Sequence, residues 1–201
     1  VQSPHGMLSD WSVSQRRLKK AVYMMLFGRR LLKQASFIVL TAEGELGQSA
    51  KRHPQTPGVV IPLVFDTDPY LAAPTPDAAR KALGLPDQSI PTLLYFSRLH
   101  YKKRPDLLLT AGKVLRDAGK KFHMVLAGPG DERYVSKLKA YASSLGVADI
   151  TTFTGLVPAE CKASLYNACD LFCLPTSMEN FGFVYFESMA SATPVVTTKG
   201  T

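Results

Sequence analysis

The 201-residue sequence contains few of the residue types that mark disulfide-rich, zinc-binding or membrane-spanning proteins. Its three cysteines are an odd number and form no disulfide framework, so buried free thiols in a reducing cytoplasm are the preferred interpretation. Cys169 and Cys173 lie four residues apart, but no histidine is near them in the sequence, and we predict no metal site. The longest apolar run, AVYMMLF, is far shorter than the roughly 18 residues that a membrane-spanning helix requires.

Acidic residues are scarce in the first part of the chain, where most of the net charge of +8 is found. Residues 1–60 hold nine Lys and Arg residues against three acidic residues, which amounts to +6. The nearly neutral remainder argues against a nucleic-acid-binding protein, whose basic surface would extend along the fold. A basic helix predicted over 12–33 has two interpretations. A solvated helix face is preferred, and peripheral contact with an anionic membrane is the alternative.

Short apolar runs with strand character alternate with helix-like segments in the second part of the chain. The strands are predicted at 92–97, 122–128, 150–155, 170–175 and 194–198. The helices between them are predicted at 105–118, 131–145, 158–168 and 182–192. This alternation predicts an α/β fold in which right-handed βαβ units build a parallel sheet with helices on both faces.

The first part of the chain shows a shorter version of the same pattern. A helix is predicted from residue 10 to about residue 35, a strand over 36–41, a helix to about residue 52 and a strand over 59–62. The segment that follows is rich in Pro and Asp, which favours a linker between two unequal parts. We place the linker at 66–88.

Ligands of parallel sheets bind outside the carboxyl ends of the strands, so the loops after the strands are candidate sites. Four cations follow the strand predicted at 92–97, at its junction with the next helix, and such a group suits a diphosphate. They are Arg98, Lys102, Lys103 and Arg104. A solvated basic loop is the alternative. The loop LAGPGDERY, with Gly128, lacks both the dinucleotide fingerprint and the P-loop pattern.

The loop PTSMENFG and the helix after it carry two carboxylates. Glu179 lies in the loop, Gly182 permits close approach of a backbone, and Glu187 follows among aromatic residues. Glu187 has no charged neighbour in the sequence between Glu179 and Lys199, and an unpaired buried carboxylate is costly. Its partner is therefore either a ligand with vicinal hydroxyls or a core cation. For Glu179, a plain surface glutamate is the alternative.

Together these motifs resemble the retaining glycosyltransferases of family 4, which have the GT-B fold of two facing Rossmann-like domains. Glu179 and Glu187 match the E-x7-E motif of that family, and Arg98 and Lys103 match its donor-diphosphate cations. SPHGML, which contains His5, resembles the histidine loop of its donor cleft. The resemblance implies a remnant of the acceptor-side Rossmann-like domain at 1–65, the linker at 66–88, and a nucleotide-sugar-binding domain, truncated at its end, at 89–201.

The resemblance also implies an activity: transfer of a sugar from a nucleoside-diphosphate sugar to a hydroxyl acceptor with retention of configuration. Glu187 would bind the ribose hydroxyls, and Glu179 would lie near the hydroxyls or the anomeric face of the donor sugar. Arg98 and Lys103 would stabilise the leaving diphosphate without a metal or other cofactor, and His5 would lie across the cleft. The other donor-binding residues that the resemblance implies are Asn180, Phe181, Gly182, Phe183, Val184, Gly155, Leu156 and Gly128.

Two departures from the family pattern and two alternative functions stay open. The usual IPNGVD linker motif reads IPLVFD here, and Arg104 stands where glycine is common. The expected acceptor is a sugar or a lipid-linked sugar, and the expected location is the cytoplasm, with membrane contact as the alternative. We expect a fragment of a longer protein that lacks turnover by itself. The alternatives are a GT-B-like nucleotide-sugar epimerase and a non-catalytic nucleotide-sugar-binding module.

Overall fold

The computed structural model describes residues 1–8, 10–15, 17–72, 75–179 and 181–199. The chain divides into two compact units, Val1–Val64 and Phe65–Thr201. Within the described ranges, no helix is both long and apolar enough to cross a membrane. The same ranges contain no group of three or more His, Cys, Asp and Glu side chains arranged to hold a metal ion.

The first unit is a small α/β assembly. Its elements are α1 (Asp10–Ser14), α2 (Arg17–Tyr23), a π-helical turn (Met24–Gly28), α3 (Arg29–Gln34), β1 (Ile38–Leu40), α4 (Glu43–Arg52) and β2 (Gly58–Val60). Strands β1 and β2 pair in parallel. Leu32 of α3 forms a small buried core with Ile38 and Leu40 of β1. The predicted strands and the helix ending at Arg52 are confirmed.

The basic helix differs from the sequence expectation in its continuity and in the burial of its apolar residues. The π-helical turn between α2 and α3 adds residues to one helical turn, so the apolar positions on its two sides do not share one face. Leu18 is 85% exposed and Met25 is 68% exposed, whereas Leu32 is buried. Helices α2 and α3 also line a cavity of about 620 Å³, whose wall includes Arg17 and Lys20. The segment thus presents a mixed basic and apolar surface.

The second unit is larger and follows the predicted strand–helix alternation. Its first elements are α5 (Asp68–Leu71), α6 (Pro76–Leu83), β3 (Thr92–Phe96), a 3-10 helix (Tyr101–Lys103), α7 (Pro105–Asp117), β4 (His123–Ala127) and α8 (Glu132–Ser144). A 3-10 helix (Ala148–Ile150), β5 (Thr151–Gly155), a 3-10 helix (Ala159–Cys161), α9 (Lys162–Asn167), β6 (Leu171–Leu174), α10 (Phe183–Ala190) and β7 (Val195–Thr197) follow. Within the described residues, five strands pair in parallel in the order β5-β4-β3-β6-β7. The predicted α/β fold class is confirmed.

The strand order places a topological switch point between β3 and β6. The chain moves outward from β3 through β4 to β5 and then crosses back to β6 and β7 on the other side of β3. Leu94, Val125 and Phe172 on the inner strands are fully buried, as expected for a parallel sheet that is covered on both faces. Ligands of such sheets bind in the crevice between the loops at the switch point. Here, those loops follow β3 and β6.

Residues 66–88, which the sequence analysis places in a linker, contain α5 and α6 and lie in the second unit. Ala79 of α6 is fully buried in the core of that unit. Arg80 donates a hydrogen bond from Nη2 to the carbonyl oxygen of Ala168, at the end of α9, over 2.6 Å. This bond and the burial of Ala79 hold α6 against the sheet-bearing unit.

Candidate active site

Backbone hydrogen bonds connect the loops at the carboxyl edge of the larger sheet. The N–H of Ser177, after β6, donates to the carbonyl of Lys102, after β3, over 2.9 Å. The N–H of Gly128, after β4, donates to the carbonyl of Gly155, at the end of β5, over 2.8 Å. Because these bonds fix the loop backbones relative to one another, the side chains on the loops have defined neighbours.

Gly128 lies where the loop after β4 approaches the loop after β3 closely. Its φ is +126°, a conformation that other residues rarely adopt, and a Cβ atom there would lie 2.1 Å from the carbonyl oxygen of Ser97. Gly128 is also buried. The backbone conformation and the close carbonyl therefore require glycine at this position. The donor-binding role of Gly128 stays a prediction.

The 3-10 helix after β3 directs one lysine of the basic loop inward. His100 accepts a hydrogen bond at Nδ1 from the N–H of Lys102 over 3.2 Å, which caps that short helix. Burial, together with the charges of Arg98, Lys102 and Lys103, lowers the pKa of His100 and so favours the neutral imidazole that can accept this bond. Lys103 is only 9% exposed, whereas Arg98 is exposed to solvent.

Arg104, the cation that departs from the family pattern, belongs to the start of α7. Its φ is +52°, and its guanidinium forms an ion pair with Asp106, with 3.0 Å between Nη2 and Oδ2. Both side chains are partly exposed. The carboxylate of Asp106 thus balances the charge of Arg104 within the first turn of α7.

The structure brings two predicted site residues from different loops into direct contact. Lys103 Nζ donates to Glu179 Oε2, and the two side chains are 11% and 17% exposed. Lys103 follows β3 and Glu179 follows β6, so the ion pair lies between the loops at the switch point. A largely buried cation and carboxylate are thus held together at the place where the fold class predicts a ligand site.

Gly182 forms the entrance to α10. Its φ is +70°, and a Cβ atom there would lie 2.6 Å from the ring of Tyr185 and 2.9 Å from Cγ of Glu179. The helix begins at Phe183, and the N–H groups of the first helical turn have no acceptor within the helix. The N–H groups of Phe183 and Val184 are therefore potential hydrogen-bond donors at the start of α10.

Two further predicted donor-binding residues precede Gly182 in the sequence. Phe181 is partly buried, and its ring packs against Phe183 and Phe186 at centroid distances of 5.0 and 5.1 Å. Asn180 lies outside the described residues. The aromatic packing gives Phe181 a side-chain role in the structure, and its predicted contact with the donor sugar was through the backbone.

Glu187 is 5% exposed and is bonded by other side chains of the second unit. Its Oε1 accepts a hydrogen bond from Lys162 Nζ over 2.5 Å, and its Oε2 accepts one from the hydroxyl of Tyr166 over 2.8 Å. Burial and the charge of Glu187 raise the pKa of Tyr166, so that the phenol stays protonated and donates. The core ion pair that the sequence left open is therefore formed, and the role in binding ribose stays a prediction.

The remaining predicted residues lie elsewhere in the two units. Gly155 ends β5 with a φ of +68°, and Leu156 is 75% exposed. His5 lies in the first unit, in a turn where its φ is +44°. No described contact assigns Leu156 or His5 a function, so their roles stay predictions.

Residues 77–201 match the family described as glycosyl transferases group 1. This match covers more than half of the chain. The chain belongs to that family. D-inositol 3-phosphate glycosyltransferase of Thermomonospora curvata is 36% identical over an alignment of 149 positions, which covers 70% of this chain and 34% of that protein. GDP-mannose-dependent alpha-(1-6)-phosphatidylinositol monomannoside mannosyltransferase of Mycolicibacterium smegmatis is 31% identical over an alignment of 212 positions, which covers 98% of this chain and 51% of that protein.

A solved structure agrees with the fold of the chain. HepE of Anabaena, crystallised in complex with UDP and glucose, superposes with a TM-score of 0.78 at 24% identity. The superposition covers 98% of this chain and 52% of HepE. At this level of identity the likeness establishes the fold. The chain spans between a third and about half of the length of the relatives named here.

Sequence reasoning missed three residues that shape the family's predicted donor site. Lys162 and Tyr166 hold Glu187, and His100 caps the turn that carries Lys103. Lys162 and Tyr166 are four residues apart in one short helix, a spacing that puts two side chains on the same face. That spacing was the available signal, but nothing local relates this helix to α10.

Proposed function

We propose that this chain provides the donor-binding part of a glycosyltransferase that transfers a sugar from a nucleoside-diphosphate sugar to a hydroxyl acceptor, with retention of configuration. The observation that carries the proposal is the Lys103–Glu179 ion pair at the switch point of the parallel sheet. It places one cation and one carboxylate together where a nucleotide sugar presents a diphosphate next to sugar hydroxyls. Membership of the family supports the same activity.

The diphosphate would bind to the loop after β3. Lys103 is largely buried and held by Glu179, whereas Arg98 is exposed and makes no ion pair within the described residues. A guanidinium that is free to turn toward a ligand and a positioned ammonium can together neutralise the charge that grows on the leaving diphosphate. We propose that these cations act without a metal ion.

The donor sugar would lie between Glu179 and the start of α10. Carboxylate oxygens accept hydrogen bonds from sugar hydroxyls, and the first-turn N–H groups of Phe183 and Val184 donate to the sugar or to a phosphate oxygen. Gly182 keeps this entrance free of a side chain. Because Lys103 already binds Glu179, this carboxylate is better suited to orient the sugar than to attack its anomeric carbon. Retention would then follow from attack on the face that the leaving diphosphate vacates.

The acceptor would be a hydroxyl of a sugar or of a lipid-linked sugar. The names of the relatives in T. curvata and M. smegmatis specify an inositol phosphate and a phosphatidylinositol mannoside, both of which carry free hydroxyls. A hydroxyl acceptor needs no activated group of its own, because the leaving diphosphate can take up the proton of the attacking hydroxyl. We propose this class of acceptor, with the peripheral membrane contact of helix 12–33 as a separate prediction.

Calorimetry of the chain with UDP, GDP and ADP tests the donor site. At least one of the three should bind, and the matching nucleoside monophosphate should bind at least about tenfold more weakly, because it lacks the second phosphate that Lys103 and Arg98 would hold. At 100 times its dissociation constant, the ligand should stabilise the fold by about 2.7 kcal/mol. Equal affinity for mono- and diphosphate, or no binding of any of the three, would reject the proposed site.

Turnover is tested in a form of the protein that spans the full length of its relatives. Release of nucleoside diphosphate that requires a hydroxyl acceptor indicates transfer, and the anomeric signal of the product by NMR should match that of the donor. Epimerisation needs no acceptor, and a non-catalytic binding module releases no diphosphate. Each of the three functions therefore gives a different result in one assay.

A further inference from the structure

Lys162 connects the segment that follows β5 to the carboxylate on α10. It opens α9 directly after the 3-10 helix at Ala159–Cys161, and its Nζ lies 2.5 Å from Glu187 Oε1. The Lys162 side chain is 36% exposed, whereas that of Glu187 is 6% exposed. The ion pair thus joins a partly exposed ammonium to a nearly buried carboxylate.

The ammonium of Lys162 is also held by two aromatic rings. Its Nζ lies 6.0 Å from the ring centroid of Tyr70 and 5.9 Å from that of Phe96, distances at which a cation is attracted to an aromatic ring. Phe96 ends β3, two residues before Arg98, so the ion pair lies beside the loop that carries the proposed diphosphate cations. Burial opposes the charge on Lys162, but the bond to Glu187 outweighs it, and the pKa of Lys162 is raised.

Glu187 keeps room for one more hydrogen bond. An ionised carboxylate offers about four acceptor positions, two on each oxygen. Within the described residues, Lys162 occupies one position on Oε1, Tyr166 occupies one position on Oε2, and Tyr70 is a third hydrogen-bond partner of the carboxylate. One acceptor position is therefore left, which matches one hydroxyl donor. The bonds from Lys162 and Tyr166 also fix the rotation of the carboxylate, because each oxygen is held by a different partner.

We propose that Lys162, together with Tyr166, is a positioning residue that holds Glu187 charged and in one orientation, so that its remaining acceptor position binds the 2′-hydroxyl of the ribose. The inference rests on the proposed function, since it specifies how the same site reads the nucleotide. It goes further because it assigns a part in ribose recognition to two residues of α9, Lys162 and Tyr166, which we call the clamp. The alternative is an ion pair that only joins α9 to α10.

The two interpretations differ in how affinity depends on the 2′-hydroxyl. The experiment compares the nucleoside diphosphate that binds the chain best with its 2′-deoxy counterpart by calorimetry, using wild type, Glu187→Gln, Lys162→Met and Lys162→Arg. Lys137→Met, on the exposed face of α8, removes the same charge away from the site and serves as the control. Circular dichroism and thermal unfolding establish that each variant is folded.

In wild type we expect the ribonucleotide to bind at least about tenfold more tightly than the deoxynucleotide, because one charge-assisted hydrogen bond is lost without the 2′-hydroxyl. Lys162→Met should lower this ratio at least about fivefold while changing the affinity for the deoxynucleotide less than about twofold. Lys162→Arg should restore part of the ratio, and Lys137→Met should leave it unchanged. An unchanged ratio in Lys162→Met, or an equal loss for both nucleotides, would overturn the proposal and leave a structural ion pair.

Tyr166→Phe keeps the aromatic packing and decides the question if Lys162→Met does not fold. It removes only the hydroxyl that donates to Oε2, so the ratio should fall as in the lysine variant, and an unchanged ratio would contradict the clamp. Failure of the proposed function looks different. In that case wild type binds no nucleoside diphosphate, whereas a Glu187→Gln variant that retains the full preference for ribose would contradict only the role assigned to Glu187.

Discussion

The Lys103–Glu179 ion pair allows stability and ligand binding to be separated by mutation. Replacing Lys103 with Met leaves a carboxylate that is 17% exposed without its cation. Breaking a fully buried ion pair costs about 3–5 kcal/mol, and exposed pairs contribute about 0–1 kcal/mol. Because both side chains are mostly but not fully buried, we expect Lys103→Met to lower the free energy of unfolding by about 2 kcal/mol. For a chain of this size, that corresponds to a melting temperature lower by roughly 4–8 °C.

Binding should respond differently from stability. A hydrogen bond between an ammonium and a phosphate oxygen contributes about 1.5–3 kcal/mol, so Lys103→Met should weaken nucleoside diphosphate binding roughly 10- to 100-fold. In the double variant Lys103→Met/Glu179→Gln, no unpaired carboxylate remains, and most of the lost stability should return. The affinity should not return, because the ammonium is still absent.

Thermal unfolding and calorimetry test this reasoning on four proteins: wild type, Lys103→Met, the double variant and a control. Lys121→Met is the matched control, since Lys121 is exposed and precedes β4, at the amino edge of the sheet. It should leave both the melting temperature and the affinity close to wild type. If folded Lys103→Met binds nucleoside diphosphate within about twofold of wild type, or if the double variant regains affinity, Lys103 does not bind the diphosphate.

Three further predictions concern the backbone, the pH response and the basic helix. Gly128→Ala should lower the melting temperature by more than Gly146→Ala, because the added Cβ would lie 2.1 Å from the carbonyl oxygen of Ser97, whereas the space beside Gly146 is open; equal losses would contradict the close approach. Burial lowers the pKa of three histidines below 6.5, so the folded chain binds fewer protons than the unfolded chain, and stability should fall as the pH is lowered from about 7 through 6.5. These histidines are His53, His100 and His123. A flat melting temperature over pH 5.5–7.5 would refute that linkage. If helix 12–33 contacts membranes, the chain should sediment with vesicles of phosphatidylcholine and phosphatidylglycerol but not with phosphatidylcholine alone, and replacing Arg29 and Arg30 by Ala should weaken this roughly 30-fold. No difference between the two vesicle types would favour the solvated face.

Much of the fold could be predicted because its signals are local. The apolar runs that became β3, β4, β5, β6 and β7 are short and bounded by loop residues, and the helices between them begin and end close to the predicted positions. The basic helix shows the limit of such signals. Helical spacing of apolar residues predicts a helix, but the π-helical turn and the exposure of Leu18 and Met25 depend on what the segment packs against.

The candidate site was only partly predictable for the same reason. The motifs that contain Glu179, Glu187 and Lys103 can be recognised in the sequence, and the sheet topology brings their loops to one edge. Lys162 could not be predicted as the partner of Glu187, because it lies 25 residues earlier in a helix with no local relation to α10.

The sequence by itself determined the alternation of strands and helices and the family to which the chain belongs. It also showed which loop residues have side chains that can bind a ligand or take part in catalysis. Only the tertiary structure decided which of those residues meet. Lys103 and Glu179 are 76 residues apart, and their contact exists because β3 and β6 are neighbours in the sheet. Periodicity and turn chemistry act over a few residues and can be read locally, whereas the pairing of distant charges follows from strand order and burial.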